Sequence, residues 1–130
     1  MPNPAPGFAT RPDYRVDLLP EKRRITVVFG GVTVADSTAA LRCEETGHAA
    51  VHYLPAKDVR LDLMRPTEHH TRCPYKGEAS YWTIEVPGAN GSVQRSENAM
   101  WAYPAPYDEV PGFAGYYAFY TTRVDSVTLT

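Results

Sequence analysis

The sequence predicts an all-β protein of antiparallel sheets, in a sandwich or barrel-like arrangement with at most one or two short helices. Three observations carry that expectation. Apolar residues recur mostly with a period of two, the spacing at which successive side chains of a strand take opposite faces. Twelve prolines and nine glycines cut the 130 residues into short segments. β-Branched and aromatic side chains, which suit a pleated, half-buried surface, fill those segments.

The elements follow in order. Residues 1–12 contain Pro2-Asn3-Pro4-Ala5-Pro6-Gly7, which favours neither ladder nor helix and reads as a mobile arm ahead of one domain over residues 13–130. Residues 25–29 and 32–36 flank Gly30-Gly31, a hairpin signal, because primed turns need a positive φ that glycine adopts without steric cost. In residues 41–44, Leu41 and Cys43 face one way, Arg42 and Glu44 the other. Residues 50–54 form a strand closed by Pro55, which then opens a helical turn. Residues 59–63 fit helix and strand equally, and Pro66 ends either. Residues 80–86 form a strand with Trp82, Ile84 and Val86 on one face and Tyr81, Thr83 and Glu85 on the other. A turn over residues 87–91 returns the chain through residues 92–95. Strands over 100–103, 113–120 and 124–129 complete the fold.

Composition removes several function classes. A formal charge of −2, with 13 scattered Lys and Arg, gives no basic stripe for nucleic acid. No apolar run approaches a membrane span and no signal-peptide pattern opens the chain, so a cytoplasmic location is expected, with no membrane partner. Two cysteines in that compartment are expected to stay reduced.

Residues 25–37 (ITVVFGGVTVADS), 53–66 (YLPAKDVRLDLMRP), 73–82 (CPYKGEASYW), 98–106 (NAMWAYPAP) and 112–125 (GFAGYYAFYTTRVD) carry a resemblance to the DUF427 family, a group of small, mostly bacterial proteins. The resemblance implies an all-β domain of tent-like type with a pocket between its sheets. It also brings a nucleotidyltransferase label. The residues do not supply that chemistry: the one Gly-Ser pair, Gly91-Ser92, sits in a hairpin turn with no paired aspartates following to hold Mg²⁺. Tent-like folds often hold zinc, but Cys43 and Cys73 lie thirty positions apart without a CxxC pair. No metal and no cofactor are therefore expected.

The run from Thr67 to Trp82, TEHHTRCPYKGEASYW, concentrates the reactive side chains. Cys73 has Arg72 beside it and Lys76 three residues on, and cationic neighbours and turn amides stabilise a thiolate. Either His69 or His70 offers a base. Lys76, on a glycine turn, offers a point charge for a carboxylate or phosphate, or a nucleophile when desolvated. Cys73 and Lys76 are the candidate catalytic pair. Glu44 and Arg60 are candidate polar ligand contacts, and Asn98 is a turn former or a contact. Tyr53, Tyr75, Tyr81, Trp82, Trp101 and Tyr103 are candidate pocket walls, since rings can stack a flat ligand or cage a cation. The expected partner is an unidentified small molecule. The alternatives are an enzyme that uses Cys73 as a redox or nucleophilic thiol, and a homodimeric interaction module in which an aromatic face meets a second copy.

Overall fold

In the computed structural model, which describes residues 2–130, ten strands form two antiparallel sheets. The strands are β1 (Val16–Pro20), β2 (Ile25–Phe29), β3 (Val32–Ser37), β4 (Leu41–Glu45), β5 (Val51–Pro55), β6 (Met64–Cys73), β7 (Gly77–Pro87), β8 (Val93–Ala102), β9 (Tyr116–Phe119) and β10 (Ser126–Leu129). One sheet has the order β1-β4-β5-β9-β8-β7-β6 and curls into a half-barrel; the other has the order β10-β2-β3. A short helix, α1 (Pro6–Thr10), precedes them. The all-β expectation holds. No helix among the described residues is long and apolar enough to cross a membrane.

Period-two patterning decides which side of the large sheet each residue meets. Leu54, Ile84, Val86, Met100 and Phe119 pack with Ile25, Val27 and Val34 of the small sheet, forming the apolar layer between the sheets. Their neighbours of opposite parity, Tyr53, Ala79, Tyr81 and Ala118, form a second cluster on the other side, with Tyr103, Tyr107 and Phe113. The β2–β3 hairpin turns through Gly30 and Gly31, both at positive φ (57° and 76°), the geometry that matches the twist of the flanking strands.

Several elements differ from the expectation. α1 and the residues around it lie against the body of the protein. Pro6 opens the helix where its missing N–H has no partner to lose. The Gly7 N–H donates to the Pro74 carbonyl at 2.9 Å, and the Ala5 N–H to Glu109 at 2.8 Å. β1 has no counterpart in the sequence reading. Pro66 sits inside β6, where the pairing with β7 is interrupted between Pro66 and His70; β6 is an outer strand, so the missing donor leaves no partner unmet. Residues 61–63 form a single 3₁₀ turn, and Val59 makes an isolated bridge to Ala35. β8 joins into one strand the two segments expected at 92–95 and 100–103, through a register shift opposite Trp82 and Ile84.

Candidate functional site

The outer cluster is open at one end, where the large sheet, the segment before β1 and the β6–β7 turn enclose a cleft of about 500 Å³. Glu45 ends β4, Cys73 ends β6, and Lys76 lies in the turn between β6 and β7. That turn closes through Gly77, at φ 128°, where an added Cβ would come within 3.2 Å of the Ala105 carbonyl. The Lys76 carbonyl accepts from the Tyr107 N–H at 3.0 Å. These contacts hold the lysine stem against the cluster and direct its ammonium inward.

The polar floor of the cleft is a chain of three side chains. The Lys76 ammonium donates to Glu45 Oε1, and the Tyr14 hydroxyl donates to Glu45 Oε2. The lysine and glutamate side chains are 11% and 10% exposed. An ammonium has three donors, and Glu45 is the one hydrogen-bond acceptor of Nζ among the described residues. Nζ also lies 6.0 Å from the centre of the Tyr103 ring, within cation–π range. Burial, and then the hydrogen bond to Glu45, raises the Tyr14 phenol well above its usual range. Tyr75 stacks on Tyr14 at 3.8 Å and meets Phe8 of α1 edge-on at 5.2 Å.

Aromatic rings make the walls. Tyr53, Tyr81, Trp101, Tyr103 and Tyr120 line the cleft, with Tyr120 and Trp101 4.5 Å apart. Burial pushes the Tyr53 and Tyr103 phenols up, and burial followed by a hydrogen bond with Tyr81 pushes Tyr120 up to about 12. The Tyr81 hydroxyl shares a 2.8 Å hydrogen bond with Thr71. Cys73 lines the cleft and is half-buried, whereas Cys43 is buried beneath it and desolvation pushes its thiol up to about 11.

Of the residues singled out in the sequence, Cys73, Lys76, Tyr53, Tyr75, Tyr81, Trp101 and Tyr103 converge on this cleft. Four lie elsewhere. Glu44 faces solvent and accepts from Arg42 Nε at 2.8 Å. Arg60 is held by Asp62 through two hydrogen bonds of 3.0 and 2.9 Å, beside a shallow depression formed with Asp36 and Lys57. Trp82 points to the layer between the sheets and meets Tyr117 edge-on at 5.3 Å. Asn98 occupies the irregular stretch of β8 at φ 50°, its side chain accepting from the Thr67 hydroxyl at 2.7 Å. His70 lies near Ser80 and Glu78 outside the cleft, and the exposed His69 meets Tyr81 at 4.5 Å with its ring tilted by 53°.

Tyr14, Glu45, His48 and Tyr120 also line the cleft. The signal for Glu45 was present: with Cys43 inward, strand alternation turns Glu45 inward and Glu44 outward. Among the described residues, no three His, Cys, Asp or Glu side chains converge as a metal site.

A family model described as a domain of unknown function (DUF427) matches residues 17–130. No curated protein matches the chain.

Proposed function

The chain belongs to the DUF427 family, and from the geometry of its cleft we propose that it binds a small molecule carrying a carboxylate. One observation supports this reading above the others: the Lys76 side chain is only 11% exposed and lines an aromatic cleft, and its ammonium has a single acceptor for its three donors among the described residues. Donors withdrawn from water and left without partners are costly unless a ligand supplies acceptors. Arg72 adds a second cation at the rim, where it also pairs with Glu78 at 3.6 Å. Rings with a few placed polar groups are what small-molecule sites use to hold and orient a ligand. The test is calorimetric titration with benzoate. Saturable binding that Lys76→Met weakens by about tenfold or more supports the reading. Absence of binding, or binding indifferent to Lys76→Met, overturns it.

A second reading takes Cys73 as a nucleophilic or redox thiol. It is favoured by the contrast between the two cysteines, since Cys73 opens on the cleft and Cys43 does not. At pH 8 the Cys43 thiol, at about 11, has a thiolate fraction of roughly one in a thousand. Maleimide should therefore modify Cys73 first, and Cys73→Ser should remove the fast phase. If the benzoate complex blocks the fast phase, thiol and ligand share the cleft.

A further inference from the structure

A second cavity, of about 340 Å³, lies between the sheets and is walled by Ile25, Val27, Leu54, Phe119 and Val127. It is not isolated from the polar cleft. Ala49, Val51, Trp101 and Tyr120 line both. The pairing of β5 shows why the two meet. β5 joins β9 only through Leu54↔Tyr117 and Pro55↔Tyr116. Toward its start, β5 stays with β4 as far as Cys43↔Val51, while β9 stays with β8 as far as Met100↔Phe119. The two strands therefore separate below Leu54. The separation opens the large sheet where its outer face carries the polar cleft and its inner face the apolar cavity.

We propose that cleft and cavity are two halves of one site for a singly charged amphiphile, its carboxylate at Lys76 and its apolar body between the sheets. This rests on the carboxylate reading of the cleft. The cavity's apolar lining specifies the body, and at about 30 Å³ per non-hydrogen atom it accommodates roughly ten of them. The charges specify the head. Lys76 is the buried cation of the cleft, Arg72 being paired with Glu78 at 3.6 Å, and a singly charged carboxylate meets the neighbouring Glu45 carboxylate with less like-charge repulsion than a dianionic phosphate would. His52 faces the cavity but is occupied by Glu21, 2.8 Å from its Nε2.

The experiment is calorimetric titration of the full chain with hexanoate, octanoate and decanoate, and with benzoate as a probe of the polar half. Affinity should rise roughly threefold per added methylene as the chain fills the cavity. Val127→Trp fills the cavity from β10, and Ala50→Leu narrows it from the β4–β5 loop should the first variant fail to fold. Either should abolish the dependence on chain length and leave benzoate affinity within about twofold. An affinity flat from hexanoate to decanoate, or a gradient that survives both variants, overturns the bipartite site while leaving the carboxylate reading intact. If neither benzoate nor any of the three fatty acids binds, both fall together.

Discussion

The two sides of the large sheet use the same strands for opposite purposes. Toward the small sheet, β7 sends Ile84 and Val86, which need nothing from their neighbours but close packing. Toward the outer face it sends Ala79 and Tyr81, and the cluster they join is rich in tyrosine. Each buried tyrosine brings a hydroxyl that must find a partner, as Tyr81 does in Thr71 and Tyr14 in Glu45. The layer satisfied by shape closes around Ile84 and Val86, and the cavity it leaves where β5 and β9 separate is lined mainly by apolar side chains. A layer that must also satisfy hydroxyls, an ammonium and a carboxylate is held by directional contacts, and here it leaves room for a ligand.

That contrast predicts a difference in the cost of removing atoms from the two sides of one strand. Ile84 is fully buried, and Ile84→Ala should destabilise the protein by about 3 kcal/mol, the lost transfer energy plus the cavity left behind. Tyr81→Phe, three residues away on the other face, removes only a hydroxyl with its contacts to Thr71 and Tyr120 and should cost about 1 kcal/mol. Urea unfolding of both variants measures the ratio. Equal costs would mean that the outer layer is packed as tightly as the inner one.

The ion pair at the floor of the cleft should show the directional character most clearly. Glu45→Gln leaves the Lys76 ammonium, on a side chain 11% exposed, without its carboxylate and should cost about 2 kcal/mol. The double variant Glu45→Gln/Lys76→Met should be no less stable than Glu45→Gln alone, because the uncompensated charge is gone. Simple addition of the two single costs would show that the pair is solvated and weakly coupled. The carboxylate reading of the cleft would lose its support with it.

The inner layer was legible in the sequence and the outer one only in part, for a physical reason. Alternation assigns a residue to a face, so residues 25–29, 32–36 and 80–86 were read as strands that the structure contains. Alternation does not say which face holds a site. The Cys73–Lys76 turn was visible as chemistry because its residue types are concentrated in sequence. Its partners Glu45 and Tyr14 lie 31 and 62 positions before Lys76, and only the folded chain brings them together. Glu44 looked available because sequence does not show that Arg42 already occupies it. Trp82 was read as a pocket wall although its own parity, shared with Ile84 and Val86, sends it to the inner layer. The helix α1 went unread because prolines were taken as breakers, without regard to the first turn of a helix, where Pro6 is tolerated.

A third carboxylate offers a pH test of the same contrast at the far edge of the sheet. Glu21, 4% exposed, receives hydrogen bonds from Arg23 and His52, and these hold its carboxyl far below the usual range. A depressed carboxyl contributes stability that is present above its unfolded value of about 4.3 and is lost as pH falls toward the folded one. The melting temperature should therefore decline as pH drops below about 4.3. Glu21→Gln should lower it at pH 7 and flatten that decline, with Asp36 and Glu85, also depressed by arginine partners, supplying the slope that remains. An unchanged acid slope in Glu21→Gln would place the acid sensitivity in those exposed pairs instead.

The smallest expected effect separates backbone geometry from recognition at Asn98. At φ 50° this residue sits where side chains other than asparagine, aspartate and glycine are strained, and two cleft residues, Trp101 in β8 and Tyr103 just beyond its end, follow the register shift around it. Asn98→Gly keeps the conformation and gives up the acceptor for Thr67, so its stability should stay within about 1 kcal/mol of wild type. Asn98→Ala keeps neither and should cost more. Benzoate affinity should be unchanged in Asn98→Gly, because the side chain lies outside the cleft. Loss of affinity without loss of stability would return Asn98 to the site as a contact; loss of both would show that the irregularity in β8 sets the position of the aromatic walls.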